Sequence, residues 1–320
     1  MAKVLEYGAK ALKECVAIIK DGGIFAFPTE TVYGLGANAF NPKAVARIFE
    51  VKNRPSFDPI IVHIGEFSQV SLLCSSIDER CRDLMKRFWP GPLTIVLQKS
   101  KTVPDIVTAG LPTVAIRMPS HKIALEIIRA ASTPIAAPSA NPFGYLSPTT
   151  AEHVKEQIGE KVDLIIDGGK CPIGLESTVL ELIGKTPTVL RLGAVPLEAI
   201  EEVVGKVKIS KTNISKPKSP GQLLKHYSPK TPLKLIGDTK VKLQKDKKIG
   251  LLAFMKPKKK LPYEIIKVLS NNGDLREAAA NLFSHLHELD NAHLDIIYAE
   301  SLPEVGLGRA IMDRLRKASR

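Results

Sequence analysis

The sequence predicts an α/β protein made of two units joined by a polar linker. Three observations predict it. Short apolar runs alternate with helical stripes from about residue 9 to residue 204, the pattern of buried strands and amphipathic helices. Between residues 206 and 232 the periodicity is lost and Lys, Ser, Pro and Gly dominate, which is linker composition. Alternation then resumes to the C-terminus. The expected units are therefore 1–205, a linker over 206–232, and 233–320. A length of 320 residues accommodates one large domain or two ordinary ones.

The elements follow in order. Residues 9–20 place Leu12, Val16 and Ile19 on one helical stripe, closed by Gly22-Gly23. Residues 24–27, IFAF, form a buried strand ending at Pro28. Thr29-Glu30-Thr31-Val32-Tyr33-Gly34-Leu35-Gly36 reads as a strand-to-helix loop. Its G-x-G is a weak phosphate signal, and a plain turn is the simpler account. Asn41-Pro42 supplies the cap and first residue of a helix reaching about residue 51. Lys52-Asn53-Arg54-Pro55 follows. Two cations there favour the helix macrodipole, or they clamp phosphates. Residues 59–64, PIIVHI, form a strand that carries His63. A lone strand histidine is more often structural than catalytic. A helix over 78–88 and a strand over 93–97 come next. Residues 113–119, TVAIRMP, form a strand with Arg117 near its end. An arginine in an apolar strand needs an anion or a carboxylate partner.

After a helix over 124–131, residues 134–137 make a short strand that breaks into Pro138-Ser139-Ala140-Asn141-Pro142. Two prolines stiffen this turn. It presents the Ser139 hydroxyl and the Asn141 amide at a strand end, where α/β sheets bind ligands. An ordinary Ser/Asn/Pro turn explains the same residues. A helix through residue 158 starts at Thr149-Thr150, and residues 162–166 form a strand. Strands over 176–182 and 188–193 carry Ser177 and Arg191, and a helix over 197–204 closes the unit. Inside the linker stands Lys225-His226-Tyr227-Ser228-Pro229. An aromatic in so polar a segment implies a contact. The second unit has strands over 249–254 and 294–299 and helices over 274–289 and 308–318.

Composition narrows the function classes. The chain carries 46 Lys+Arg against 33 Asp+Glu, a net charge of +13. Such a surplus points to polyanions, nucleotide phosphates or RNA. A lysine-rich surface that only confers solubility is the competing account. The four cysteines form no C-x-x-C pair, so no metal site is expected, and their use fits a reducing cytoplasm. No signal-peptide core and no bilayer-spanning run is expected.

Several of these motifs together resemble the YrdC-like family. Lys52-x-Arg54 and Ser139-x-Asn141 look like its KxR…SxN signature, and PTETVYGLG, VAIRMP, EST at 176–178 and VLRLGAV are similar in the same order. SPGQLLKHYSP and AESLPEVGLGRAIMDRLRKA resemble the family's long, two-domain branch. The departure is Gln222-Leu223-Leu224, where the family has a Met-rich or basic variant. The resemblance implies a twisted open-sheet α/β domain followed by a smaller Rossmann-like α/β domain. It implies synthesis of threonylcarbamoyl-AMP and pyrophosphate from L-threonine, bicarbonate and ATP with Mg²⁺. A separate threonylcarbamoyl-transferase complex would then modify adenosine 37 of tRNA, with transient contact to tRNA or to that complex. It places Lys52, Arg54, Ser139 and Asn141 at the chemistry. Arg54, Asp58, Thr113, Ser139, Ser147, Arg191 and Tyr227 fall around ATP, and Thr31, His63, Arg117 and Ser177 around threonine. The linker becomes a lid over the active site.

That chemistry suits the residues. A carbamate is already an anion, so attack on the α-phosphorus needs positioning and charge neutralisation rather than a protein nucleophile. Two other classes fit in part. A nucleic-acid-binding module would use the basic surface. A carbamoyl-adenylate enzyme of hydrogenase maturation would carry additional zinc-finger-like and acylphosphatase-like segments, and this chain shows none.

Overall fold

The computed structural model describes residues 2–210, 217–222, 226–236, 246–259 and 261–320. Among them, eleven strands form one twisted mixed sheet. From edge to edge they are Lys3–Glu6, Leu164–Asp167, Phe25–Phe27, Gly34–Asn38, Ile135–Ala136, Ile61–His63, Thr113–Arg117, Leu93–Gln98, Thr178–Glu181, Thr188–Arg191 and Lys208–Ile209. Strand alternation sends neighbouring side chains to opposite faces. Phe25 and Phe27 pack under helices Ala9–Lys20 and Lys122–Ala131. Ile24 and Ala26 join the larger core on the other side. That core takes Ala44, Val45 and Ile48 from helix Pro42–Lys52, Leu84 and Met85 from Glu79–Phe88, and Val154 from Ala151–Ile158. Asn41 accepts the backbone N–H groups of Lys43 and Ala44, and so fixes where the helix carrying Lys52 begins.

The second sheet is parallel, in the order Leu233–Ile236, Ile296–Glu300, Ile249–Ala253, Ile265–Val268. Helices Leu275–Asp290 and Leu307–Ala318 contribute Leu282, Phe283, Ile311 and Leu315 to a core with Leu252 and Ile297. Val32, Leu146, Leu175 and Tyr227 belong to the same core. The second unit thus completes its interior with side chains from the first unit and the linker.

Three sequence expectations change. The loop after Pro28 contains a strand, Gly34–Asn38, antiparallel to Phe25–Phe27. Its glycines serve packing: a Cβ on Gly36 would stand 2.8 Å from the Phe25 ring and 2.9 Å from Ile135. The segment after residue 205 begins as the strand Lys208–Ile209, parallel to Thr188–Arg191, and extends the first sheet. The strands Lys3–Glu6, Leu233–Ile236 and Ile265–Val268 were not anticipated. All three are sheet edges, where half-exposed residues blur the alternation.

The seam between the units is closely packed. His287 Nε2 lies 3.2 Å from the Ser147 carbonyl, and its ring stacks on His153 at 3.9 Å. Lys170 donates to Asn281 at 3.0 Å, and Arg309 pairs with Glu198. Gly174 has φ +70, and an added Cβ would meet the Ala279 carbonyl at 2.6 Å and Ala280 Cα at 2.7 Å. Gly184 shares the left-handed φ, +83, but faces open space. Gly174→Ala should therefore cost about 1–3 kcal/mol more than Gly184→Ala. Urea unfolding of the two variants checks this; equal costs would mean that the seam has room to give.

Candidate functional site

Strand ends of the first sheet and described residues of the linker enclose one pocket. Thr31, Arg54, His63, Arg117, Ser139, Ser177, Arg191 and Tyr227 all line it. These eight residues come from eight separate stretches of the chain.

One wall is built on Arg117, the last residue of its strand and 4% exposed. It donates to Thr31 Oγ1 at 2.9 Å and pairs with Glu30 at 2.6 Å. Thr31 in turn shares a 2.8 Å hydroxyl contact with Thr29. The fork is thus aimed by groups on the Thr29–Thr31 turn, as an arginine meant for a planar anion requires. His63 stands nearby, edge-on to Phe27. Burial, and then the Arg117 charge, push it down to about 3, so it is neutral. Its Nδ1 is buried without a protein partner.

Ser177 and Arg191 form the next wall. A register shift in the Thr188–Arg191 strand occurs at Arg191, and such irregularities re-aim side chains. Arg191 donates to the Ser177 carbonyl at 2.9 and 3.1 Å and to its hydroxyl at 3.1 Å. Thr94 holds the same hydroxyl at 2.7 Å.

Arg54 and Ser139 line the pocket, whereas Lys52 and Asn141 stand behind it. Lys52 ends its helix at 1% exposure, and its ammonium donates to the carbonyls of Ser139, at 2.6 Å, and Asn141. Burial, and then the Arg54 charge, hold it well below the usual lysine range. The Asn141 amide donates to the carbonyls of Pro142 and Tyr145. Both residues therefore shape the turn that carries Ser139. Asp58 is also off the wall; it pairs with Arg54 at 3.0 Å. Burial pushes the Asp58 carboxyl up, while Arg54 and Lys52 pull it down. Ser147 is fully buried with its hydroxyl 2.5 Å from Glu176. Thr113 begins the strand that Arg117 ends, about 13 Å away at strand rise, and lies outside the pocket.

The linker supplies the remaining wall. Pro220, His226 and Tyr227 line the pocket. Tyr227 is 2% exposed at φ 63, and its buried hydroxyl has no protein partner. Burial pushes it up to about 12. A row of rings and cations runs across the site: Arg54 over Phe143 at 6.0 Å, Phe143 to His226 at 5.5 Å, His226 on Tyr227 at 4.1 Å, and Arg314 over Tyr227 at 4.7 Å. Lys225, Leu223 and Leu224 fall outside the described residues.

Glu30, Glu176 and Arg314 were missed from sequence. Glu30 and Glu176 were in view within the quoted PTETVYGLG and EST motifs, yet nothing local shows which cation each one meets. Glu176 lines the pocket and is bonded by Ser147 and by Arg314 at 2.8 Å. Burial raises its carboxyl, but Arg314, Arg191 and these bonds outweigh that and hold it at about 2.

The arrangement binds and orients anions. Among the described lining residues no serine is hydrogen-bonded to a histidine and there is no cysteine. No group of three or more His, Cys, Asp or Glu that could hold a metal occurs among the described residues.

Known proteins resemble this chain over nearly its whole length. A Sua5/YciO/YrdC family model, described as telomere recombination, matches residues 17–193. A second, described as the threonylcarbamoyl-AMP synthase C-terminal domain, matches residues 195–320. A Pyrococcus abyssi protein named threonylcarbamoyl-AMP synthase is 44% identical over 318 residues, covering 96% of this chain and 94% of its own. A Bacillus subtilis protein of the same name is 42% identical over 320 residues, covering 96% and 92%. The crystal structure of P. abyssi Sua5 complexed with L-threonine superposes with a TM-score of 0.91 at 41% identity, covering 100% of this chain and 97% of that one.

The buried histidines make stability depend on pH. His63 and His287 are pushed down to about 3, each chiefly by burial, and His226 well below its ordinary value by burial. His226 Nδ1 also accepts the Tyr227 N–H at 3.0 Å, which requires a neutral ring. Folded pKa values below the unfolded value mean that the unfolded chain takes up these protons first. Stability should therefore fall as pH drops below about 6.5, by about 2 kcal/mol per histidine between pH 7 and pH 5. Urea denaturation at the two pH values measures this; an unchanged midpoint would show that these rings protonate in the folded state.

Proposed function

The chain belongs to the threonylcarbamoyl-AMP synthase family, and from that premise we propose that its pocket converts L-threonine, bicarbonate and ATP to threonylcarbamoyl-AMP and pyrophosphate. The observation that supports this best is a pocket dense in buried guanidinium groups and hydroxyls, with no serine hydrogen-bonded to a histidine and no cysteine among its described lining residues.

The reaction follows from that character. Threonine's amine and bicarbonate give a carbamate and water. A carbamate oxygen attacks the α-phosphorus of ATP, a P–O bond forms, and pyrophosphate leaves with the electrons of the broken bond. Arg117 takes threonine's carboxylate, held in place by Glu30 and Thr31. Ser177 and neutral His63 surround the rest of the amino acid, His63 offering an acceptor to its amine or hydroxyl. Arg54, Ser139 and Arg191 meet the phosphates, where fixed donors stabilise developing charge. The Tyr227 hydroxyl is the buried donor left for the nucleotide. Lys52 and Asn141 act by holding the Ser139 turn, Asp58 by holding Arg54, and Ser147 by holding Glu176. Thr113, at the far end of its strand, stands apart from the pocket.

ATP enters as its Mg²⁺ complex. Glu176 is the carboxylate among the described lining residues, and both its oxygens are committed to Ser147 and Arg314. The ion would be carried in on the phosphates, where it would neutralise charge while keeping several of its waters.

The product is a mixed anhydride that water destroys. Pro220, His226 and Tyr227 cover the pocket, so we assign the linker the role of a lid that keeps water out. The threonylcarbamoyl group then passes to adenosine 37 of tRNA through a separate transferase complex, with the enzyme in the cytoplasm. No helix among the described residues is long and apolar enough to cross a membrane.

The test is pyrophosphate release from ATP. It should require both threonine and bicarbonate. Equal release without threonine would identify a simple nucleotidase, and salt-sensitive RNA binding without turnover would favour a nucleic-acid module.

A further inference from the structure

The last helix, Leu307–Ala318, belongs to the second unit, yet two of its basic residues reach the pocket's supports. Arg314 is 1% exposed and does not line the pocket. Its Nε donates to Glu176 at 2.8 Å and its Nη2 to the Leu192 carbonyl at 2.8 Å. Its Nη1 donates to Asp313 at 2.6 Å, and its Cζ stands over the Tyr227 ring, 4.7 Å from the centroid. One turn on, Lys317 donates to the Gly221 carbonyl at 2.7 Å and to Asp313 at 2.8 Å. Gly221 lies directly beneath the tyrosine: a Cβ there would stand 2.5 Å from the Tyr227 hydroxyl.

The helix therefore holds the linker on both sides of residues 223–225, at a carbonyl before them and a ring after them. It also holds the carboxylate next to Ser177. A lysine at 314 could keep the charge but not the geometry. An ammonium cannot bond Glu176, Leu192 and Asp313 through a planar fork while standing over a ring.

We infer that Arg314 is a positioning residue for the synthase reaction: it sets Glu176 and the Tyr227 ring, and so makes the second unit a structural part of the nucleotide side of the pocket. This rests on the function proposed above. Arg314 acts through the Tyr227 ring, which is assigned to ATP, and through Glu176, and it touches none of the four residues assigned to threonine. Its loss should therefore separate the two substrates.

The experiment compares wild type with Arg314→Lys, alone and combined with Tyr227→Phe. Pyrophosphate release gives kcat and the KM for ATP, calorimetry without ATP gives threonine affinity, and urea unfolding gives stability. Arg314→Lys should raise the KM for ATP by about tenfold, the size of coupling within one bonded network, and leave threonine affinity unchanged. In the Tyr227→Phe background the same change should cost less. An unchanged KM for ATP, equal losses for threonine and ATP, or fully additive effects would each overturn the inference. If Arg314→Lys lowers the unfolding midpoint, Lys317→Gln decides. It releases the Gly221 carbonyl and Asp313 while leaving the Arg314 bond to Glu176 in place, and a raised KM for ATP supports the inference while an unchanged one overturns it. If wild type shows no threonine-dependent release, the proposed function fails on its own; ATP affinity by calorimetry in wild type and Arg314→Lys then settles the role of Arg314.

Discussion

Among the described residues, six buried basic side chains, Lys52, Arg54, Arg117, Arg191, Arg314 and Lys317, stand in or behind one pocket that is supplied with four carboxylates, Glu30, Asp58, Glu176 and Asp313. Taking a charge out of water is costly unless it is paired. Four pairs meet that requirement: Arg54 with Asp58, Arg117 with Glu30, Arg314 with Glu176, and Lys317 with Asp313. Lys52 and Arg191 are held instead by carbonyls and a hydroxyl. The folded protein therefore keeps a positive surplus where water is scarce. A triphosphate is an anion of the charge and size to relieve it. Much of the surrounding architecture can be read as what holds that surplus in place.

The sheet does this with strand ends. Arg117 and Arg191 each end a strand, and the Ser139 turn follows another, bridged to Gly34. Backbone carbonyls and short polar side chains then restrain the cations, so that several N–H groups remain for ligands. The second unit is tied into the same scheme. Its core is shared with Tyr227, Leu146 and Leu175, and its last helix neutralises Glu176. Separating the units would expose an apolar seam and leave that carboxylate buried without its partner.

How much of this was legible in the sequence depended on range. Local signals were reliable: Asn41-Pro42, Asp78 and Thr150 start helices as their chemistry predicts. Arg117 in an apolar strand demanded an anionic partner, and Glu30 is there, brought across from a neighbouring loop. Residue type did not reveal direction. Lys52 and Asn141 carry donors suited to phosphate, but both are committed to backbone carbonyls. Gly34 and Gly36 match a phosphate-loop pattern; between them they make room for Phe25, Phe27 and Ile135, and Gly34 alone of the two lines the pocket. Arg314 was hidden most completely, because its partner Glu176 is 138 residues away in sequence and an arginine-rich C-terminal helix reads as a solvated surface.

The central claim is that this pocket is built around uncompensated positive charge, and ligand-dependent thermal unfolding tests it most directly. A ligand that binds the folded state alone raises the melting temperature with its concentration. ATP and pyrophosphate should each raise it, and adenosine at the same concentration should raise it far less. A shift with adenosine equal to that with ATP, and none with pyrophosphate, would contradict the account.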